Sequence, residues 1–155
     1  MTAHVRLCRL LFVAAASALA LATPGAAAEL NPAALTYKLP DQIEWKGTGG
    51  NRNAVLVGDP EKPGLYIVIN KWLAGNNFSR PHFHPNDRFI TVLKGTWWVG
   101  TGNKFDPANT VPMPAGTFVT HFGKQVHWDG AKDEDAILLI VGEGPATSTR
   151  VEEAK

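Results

Sequence analysis

Histidines are the residues of this sequence best suited to chemistry, and four of the five lie between residues 82 and 127. His82 and His84 are separated by a single residue, Phe83. The side-chain period of two in a β-strand therefore places both imidazoles on the same face. Two imidazoles on one face can chelate one divalent ion, which then needs at least one ligand from another strand. His121 and His127 are the other histidines available for that role.

Two other interpretations of these histidines need no metal. A His-x-His pair also occurs in surface loops, and a buried histidine is often only hydrogen-bonded within a core. For a single histidine, either of these would be the better interpretation. Here the histidines are concentrated in one region that is rich in strand-forming residues. This concentration favours a metal site.

The first 28 residues are typical of a secretory signal peptide. Arg6 and Arg9 precede an apolar run over residues 10–22, and small residues follow up to Ala28. The run is shorter than the roughly twenty apolar residues that a membrane span requires. We therefore expect cleavage before Glu29, no membrane attachment afterwards, and a mature protein that is periplasmic or secreted.

Composition excludes several classes of function for the mature chain. Removal of residues 1–28 leaves thirteen basic and fourteen acidic side chains, a net charge of −1, and takes away Cys8, the only cysteine. A Cys-free protein has neither disulfides nor a cysteine nucleophile. The absence of a strongly basic surface argues against nucleic acid as a partner.

The region that must position the histidines is predicted to consist of short strands. The residues enriched in β-branched and aromatic types are 54–57, 65–72, 88–93, 96–101, 117–121, 126–128 and 136–141. Gly- and Pro-rich turns separate them, which is typical of an all-β sandwich or small barrel. We expect residues 29–53 to be an N-terminal extension and residues 147–155 to be a flexible tail.

Two sequence motifs resemble those of the cupins, a superfamily of small jelly-roll β-barrels. The first cupin motif contains His-x-His, then Glu, then Gly after six residues; here His82-Phe83-His84 and Gly95 match, but Arg88 stands at the Glu position. In the second motif His121 stands at the proline position, and His127 follows Gly123 after three residues. The resemblance covers residues 54–146 and implies a jelly-roll barrel over that range.

The resemblance implies a metal site. Carried over by position, His82, His84 and His127 match the three histidine ligands of the cupins, and the expected cofactor is a divalent ion, Fe or Zn. Ligating histidines must be neutral, so we expect metal to be released below about pH 6, near the ordinary histidine pKa of about 6.5. His121 is a candidate fourth ligand if Gly123 introduces no bulge between it and His127.

Arg88 departs from the motif in a way that matters chemically. A guanidinium stays protonated and has no lone pair, so Arg88 can neither bind a metal nor act as a base. Two placements remain open from the sequence. In one, Arg88 points inward and orients an anionic group of the substrate. In the other, it faces solvent or pairs with Asp87 or Asp129.

Aromatic residues close to the histidines are candidates for the walls of a substrate pocket. Those residues are Phe83, Trp97, Phe118 and Trp128. Adjacent Trp97 and Trp98 must point to opposite faces of a strand, so only one of them can fill the barrel. An aromatic interior favours an apolar or ring-bearing ligand.

Two classes of function follow. The first is a metal-dependent enzyme that oxygenates or isomerises a small organic molecule carrying an anionic or aromatic group, with Arg88 in the catalytic site. The second is a noncatalytic protein that binds or senses a small ligand or metal. The resemblance also implies a homodimer, since cupins commonly pair through sheet edges.

Overall fold

The computed structural model describes residues 29–152, so the predicted signal peptide lies outside the described residues. The chain divides into two units, the first ending at Tyr37 and the second beginning at Lys38. In the described part of the first unit, the Ala34 N–H donates to the Asn31 carbonyl at 3.0 Å and forms a turn. The strands described below all belong to the second unit.

The second unit is built from strands. Its only helical element among the described residues is the 3₁₀ turn Pro40–Gln42. The strands are β1 (Asn51–Val57), β2 (Gly64–Trp72), β3 (Asn77–Phe78), β4 (His82–Phe83), β5 (Arg88–Lys94), β6 (Thr96–Thr101), β7 (Val111–Pro114), β8 (Phe118–His121), β9 (His127–Ala131), β10 (Ala136–Gly144) and β11 (Thr149–Arg150). Within residues 29–152, no helix has the length and hydropathy needed to cross a membrane.

The strands form two antiparallel sheets. The first sheet has the order β1-β2-β10-β5-β8, and the second has the order β11-β4-β9-β6-β7, with β3 also paired to β9. Neighbouring strands in each sheet are mostly distant in sequence, as in a jelly roll. The predicted all-β jelly-roll fold is therefore confirmed.

The hydrophobic core lies between the two sheets. Alternate residues of β10 are buried, beginning with Ala136, and Ile90 and Val92 of β5 are buried on the same inner face. Trp97 of β6, fully buried, packs against them from the second sheet. Arg88 keeps the alternation of β5, so its side chain belongs to the inner face as well.

The structure has strands that the sequence did not predict. β7 contains Pro112 and Pro114, which lowered its strand signal; it lies at a sheet edge, where a missing N–H is tolerated. β11 lies inside the segment that we expected to be a flexible tail. It pairs with β4, placing Thr149 opposite Phe83 and Arg150 opposite His82.

Candidate metal centre

The second sheet brings three histidines together. His82 begins β4, His84 follows that strand directly, and His127 begins β9, where its Cα pairs with that of His82. The ring centroids of His82 lie 5.0 Å from His84 and 4.5 Å from His127. One nitrogen from each ring lies within 4.8 Å of the other two. The arrangement is therefore compact enough for all three to bind one ion.

Each of these three rings has its Nδ1 hydrogen-bonded to a backbone carbonyl. The distances are 2.8 Å from His82 to Arg80, 2.9 Å from His84 to Thr147, and 3.1 Å from His127 to Gln125. A carbonyl only accepts hydrogen bonds, so Nδ1 carries the proton in each ring and Nε2 keeps its lone pair. This is how metal-ligating histidines are usually oriented.

The free nitrogens of this group are unsatisfied by the protein itself. The Nε2 atoms of His84 and His127 are buried and have no hydrogen-bond partner. Burying an acceptor without a partner costs free energy, so such atoms need an explanation. A divalent cation that accepts all three lone pairs fits this donor set, because neutral imidazole nitrogen is a preferred ligand of Zn and Fe.

Burial also keeps the rings in the form that binds metal. Desolvation, followed by the charge of Arg88, lowers the pKa of His84 from its ordinary value to about 3. The pKa of His127 falls to about 4, again chiefly because of burial. Both rings are therefore neutral at pH 7 without any metal, and a cation displaces no proton from them.

Arg88 points into the interior. In the first sheet it lies opposite Gly142 on one side and His121 on the other, and it lines a cavity of about 150 Å³ together with His82 and His84. Its Nη2 donates to Nδ1 of His121 at 3.1 Å, while its Nε is buried without a partner. Of the two placements left open by the sequence, the structure has the inward one.

His121 does not join the three-histidine group. Its ring lies close to that of His127, with centroids 3.8 Å apart. However, the Arg88 guanidinium can only donate, so Nδ1 of His121 must accept and the proton sits on Nε2. Burial lowers the pKa of His121 to about 3, which keeps the ring neutral. In this tautomer His121 presents no lone pair at Nε2, and it is not part of the group of three whose nitrogens lie within 4.8 Å of one another. Its role as a fourth ligand stays a prediction.

Asp129 is a buried acid in the same strand as His127. Its Oδ2 accepts from Trp97 Nε1 at 3.0 Å and its Oδ1 from Ser79 Oγ at 2.8 Å. Burial acts to raise its pKa, whereas the positive charge that His121 and His127 carry once protonated, together with the Ser79 hydrogen bond, acts to lower it, and the net shift of the pKa is downward. The carboxylate is therefore ionised. Its position two residues after His127 in a strand was the available signal.

The aromatic residues divide between two environments. Trp97 lines the cavity, as expected. Trp128 is buried on the opposite side of β9 from His127, edge-on to Phe78 and Phe105. Phe118 is 63% exposed, so its assignment to the pocket is corrected. The residues that line the cavity do not include Phe83 or Trp128 either.

Comparisons with known proteins identify the fold. No protein-family model and no curated protein matches the sequence. Among solved structures, the polyketide cyclase RemF from Streptomyces resistomycificus matches with a TM-score of 0.63 and 14% identity, over 78% of this chain and 88% of its own. A cupin-2 domain from Rhodospirillum rubrum matches with a TM-score of 0.59 and 16% identity, over 77% and 81%.

A third structure agrees with these two. An RmlC-like cupin from Shewanella frigidimarina matches with a TM-score of 0.55 and 19% identity, over 71% of this chain and 90% of its own. At these identities the likeness concerns backbone architecture. Together with the two antiparallel sheets, it shows that this chain has the cupin fold.

Proposed function

We propose that this protein is a metal-dependent enzyme that acts on a small organic anion. His82, His84 and His127 hold the ion, and Arg88 holds the anionic group of the substrate. The observation that carries the proposal is the pair of buried, unpartnered Nε2 atoms of His84 and His127 beside the ring of His82. Most buried acceptors are satisfied within a protein, so unpartnered ones need an explanation. Nε2 of His121 is buried without a partner as well, but it lies outside the three-histidine group.

The charges in the cavity favour an anionic ligand. The three rings are neutral ligands, so a bound divalent ion keeps its charge of about +2. Arg88 adds one positive charge and the ionised Asp129 removes one, both from residues that line the same cavity. The net positive field in a partly enclosed site attracts and orients an anion.

The protein residues provide binding and orientation, and the ion provides the reactivity. A bound Fe or Zn supplies oxygen activation or Lewis-acid polarisation, which suits oxygenation or isomerisation respectively. Arg88 fixes the anionic group through its planar guanidinium. Ile90 and Trp97 form an apolar wall that limits water near the ion. The polyketide cyclase among the structural neighbours supports an enzymatic role.

A noncatalytic role in binding or sensing is the second candidate. The observation in its favour is that Asp129, the buried carboxylate of the cavity, already accepts hydrogen bonds on both oxygens. Arg88 stands where the cupin motif has a glutamate and cannot replace it as a base. A protein of this kind would bind metal and anion but convert no substrate.

We also propose that the mature protein is exported to the periplasm or secreted, on the basis of the sequence of residues 1–28. N-terminal sequencing of the protein from the periplasmic fraction tests this, and Glu29 is the expected first residue. An unprocessed Met1 in the cytoplasmic fraction alone would contradict it. The homodimer remains a prediction.

Metal analysis of the purified protein tests the function most directly. We expect one equivalent of metal in the wild type and in His121→Gln, whose amide oxygen can still accept from Arg88. We expect none in His82→Ala or His127→Ala. Stoichiometric Fe would support oxygenation, and stoichiometric Zn would support Lewis-acid catalysis. A wild type that binds no metal under any condition would contradict the proposal.

A further inference from the structure

A second cavity adjoins the one at the histidines. The histidine cavity is the space of about 150 Å³ described above, and the side chamber has a volume of about 200 Å³. Both are lined by Asn70, Arg88 and Ile140, so these three residues mark the junction between them. No histidine lines the side chamber. It can therefore hold a part of a ligand that does not contact the metal.

Away from the junction, four of the six residues that line the side chamber are apolar. These four are Val55, Pro60, Val68 and Ala146, and the other two are Asn53 and Tyr66. Val68 and Ala146 also pack against the hydrophobic core between the sheets. Apolar walls favour a hydrocarbon group and disfavour a second charge, which would lose its hydration there.

Arg88 is the charged group at the junction. One Nη of its guanidinium donates to His121, whereas Nε is buried and has no partner in the protein. A buried donor without an acceptor is costly, and an acceptor on a ligand would remove that cost. Asn70 beside it is held by reciprocal hydrogen bonds with Asn51, at 3.0 and 3.1 Å. Asn70 therefore provides a fixed wall at the junction.

Tyr66 and Gly142 shape the space next to Arg88. Tyr66, Gly142 and Arg88 lie side by side in one row across β2, β10 and β5. A Cβ at Gly142 would lie 2.5 Å from the Tyr66 hydroxyl, so the absence of a side chain there makes room for the phenol. The phenol of Tyr66 therefore lies over β10, in the same row as Arg88.

We infer that the substrate is a monocarboxylate with an apolar arm. Arg88 holds the carboxylate at the junction, the arm occupies the side chamber, and the opposite end of the molecule faces the histidines. A cavity of about 200 Å³ has room for an arm of about six carbon atoms at roughly 30 Å³ each. This inference rests on the proposed function in one respect, which is the reaction of the end of the substrate that faces the histidines.

A chain-length series tests the inference. Straight-chain carboxylates from acetate to octanoate are titrated by calorimetry into Zn²⁺-loaded and metal-free protein. We expect affinity to rise about fourfold for each added methylene, as burial of a methylene group allows, and to stop rising near a six-carbon arm. An affinity independent of chain length would overturn the inference.

Matched variants locate the arm and the carboxylate. Val68→Phe fills the side chamber and should reduce hexanoate affinity to within about twofold of acetate, while acetate and Zn²⁺ binding are unchanged. Ala146→Leu is the second variant if Val68→Phe does not fold, as judged by its thermal melt. Arg88→Met should weaken every carboxylate at least about tenfold, because the charged hydrogen bonds are lost, in metal-free as well as in Zn²⁺-loaded protein.

The outcomes separate this inference from the proposed function. Chain-length dependence in protein that never binds metal would support the side chamber and contradict the metal-dependent enzyme. Zn²⁺ binding without chain-length dependence would support the metal site and contradict the binding of an apolar arm in the side chamber. Unchanged hexanoate binding in a folded Val68→Phe or Ala146→Leu variant would show that the arm lies elsewhere and would overturn the assignment of the chamber.

Discussion

Histidines on the two sheets differ in what faces their second ring nitrogen. On the second sheet, Nδ1 of His82, His84 and His127 meets a backbone carbonyl. On the first sheet, Nδ1 of His121 meets the Arg88 guanidinium. A carbonyl accepts and a guanidinium donates, so the two environments select opposite tautomers. The rings of His121 and His127 are neighbours, yet only one of them presents a lone pair at Nε2.

The difference shows that residue type and proximity do not make a metal ligand. The hydrogen-bond partner of Nδ1 also matters, because it decides which ring nitrogen carries the proton and whether Nε2 has a free lone pair. Arg88 therefore has two effects on the site. It stands at the glutamate position of the cupin motif, and its hydrogen bond to His121 Nδ1 places the proton of that ring on Nε2. What remains is a three-histidine group with a cation where a fourth ligand would be.

The largest expected effect is the loss of one ring of the second sheet. His127→Ala should lower Zn²⁺ affinity by more than about a hundredfold, which exceeds the effect usually found for outer partners of a ligand. Calorimetric titration of metal-stripped protein measures this. His121→Gln is the matched control on the first sheet and should stay within about threefold of wild type. Equal losses of Zn²⁺ affinity in the two variants would contradict the difference between the histidines of the two sheets.

Acid should destabilise the metal-free protein strongly. Burial and neighbouring charges lower the pKa of His84 and His121 to about 3 and that of His127 to about 4, whereas the unfolded chain takes up these protons near pH 6.5. Stability is therefore full above about pH 6.5 and falls as the pH decreases towards 4. Each such histidine contributes up to about 1.4 kcal/mol per pH unit.

Urea unfolding of the metal-free protein at several values between pH 7 and pH 5 measures this slope. His121→Gln should reduce it, because one of the three buried rings is gone. A free energy of unfolding that is the same at pH 7 and pH 5 would contradict the assignment of neutral, buried rings.

A smaller effect is expected from the buried carboxylate. Asp129→Asn keeps the shape of the side chain and removes its charge, so Zn²⁺ affinity should fall about tenfold. Ser79→Ala, which removes one hydrogen bond to Asp129 and leaves the charge, is the control and should fall less than threefold. Zn²⁺ titrations of the two variants compare their affinities, and a thermal melt of each variant checks that the core is intact. A Zn²⁺ affinity of Asp129→Asn equal to that of the wild type would contradict a contribution of the Asp129 charge to metal binding.

The smallest effect is expected outside the barrel. Phe118 stacks on Phe89 with ring centroids 6.5 Å apart and is largely exposed. Phe118→Ser should therefore leave Zn²⁺ and carboxylate affinities within about twofold of wild type. A tenfold loss of carboxylate affinity would restore the pocket assignment made from the sequence.

The sequence predicted the strands well where runs rich in β-branched and aromatic residues lie between clear turns. The predicted strands at 65–72, 88–93, 96–101 and 136–141 all overlap β2, β5, β6 and β10. β9 was predicted to end at Trp128, because Asp129-Gly130 looks like a turn. β9 continues through Gly130 because that residue has no side chain. A Cβ there would collide with the Asn77 carbonyl of β3, so only glycine allows that pairing.

The position of a site residue was predictable where it depends on spacing within one strand, and was not predictable where it depends on the pairing of two strands. The spacing of His82 and His84 placed both rings on one face. The fate of His121 depended instead on its pairing with Arg88 across β5 and β8, and no local pattern shows which side chain a neighbouring strand will present. Phe118 was misplaced for a related reason, since strand parity leaves open which face is the inner one.

The tautomers of the four rings test the central claim most directly. Long-range ¹⁵N–¹H NMR correlation of ¹⁵N-labelled, metal-free protein at pH 7 reports which nitrogen of each histidine carries the proton. The account predicts a proton on Nδ1 of His82, His84 and His127 and on Nε2 of His121, and a shift of only the first three Nε2 signals when one equivalent of Zn²⁺ is added. A proton on Nδ1 of His121, or a Zn²⁺-induced shift of its Nε2 in place of one of the others, would contradict it.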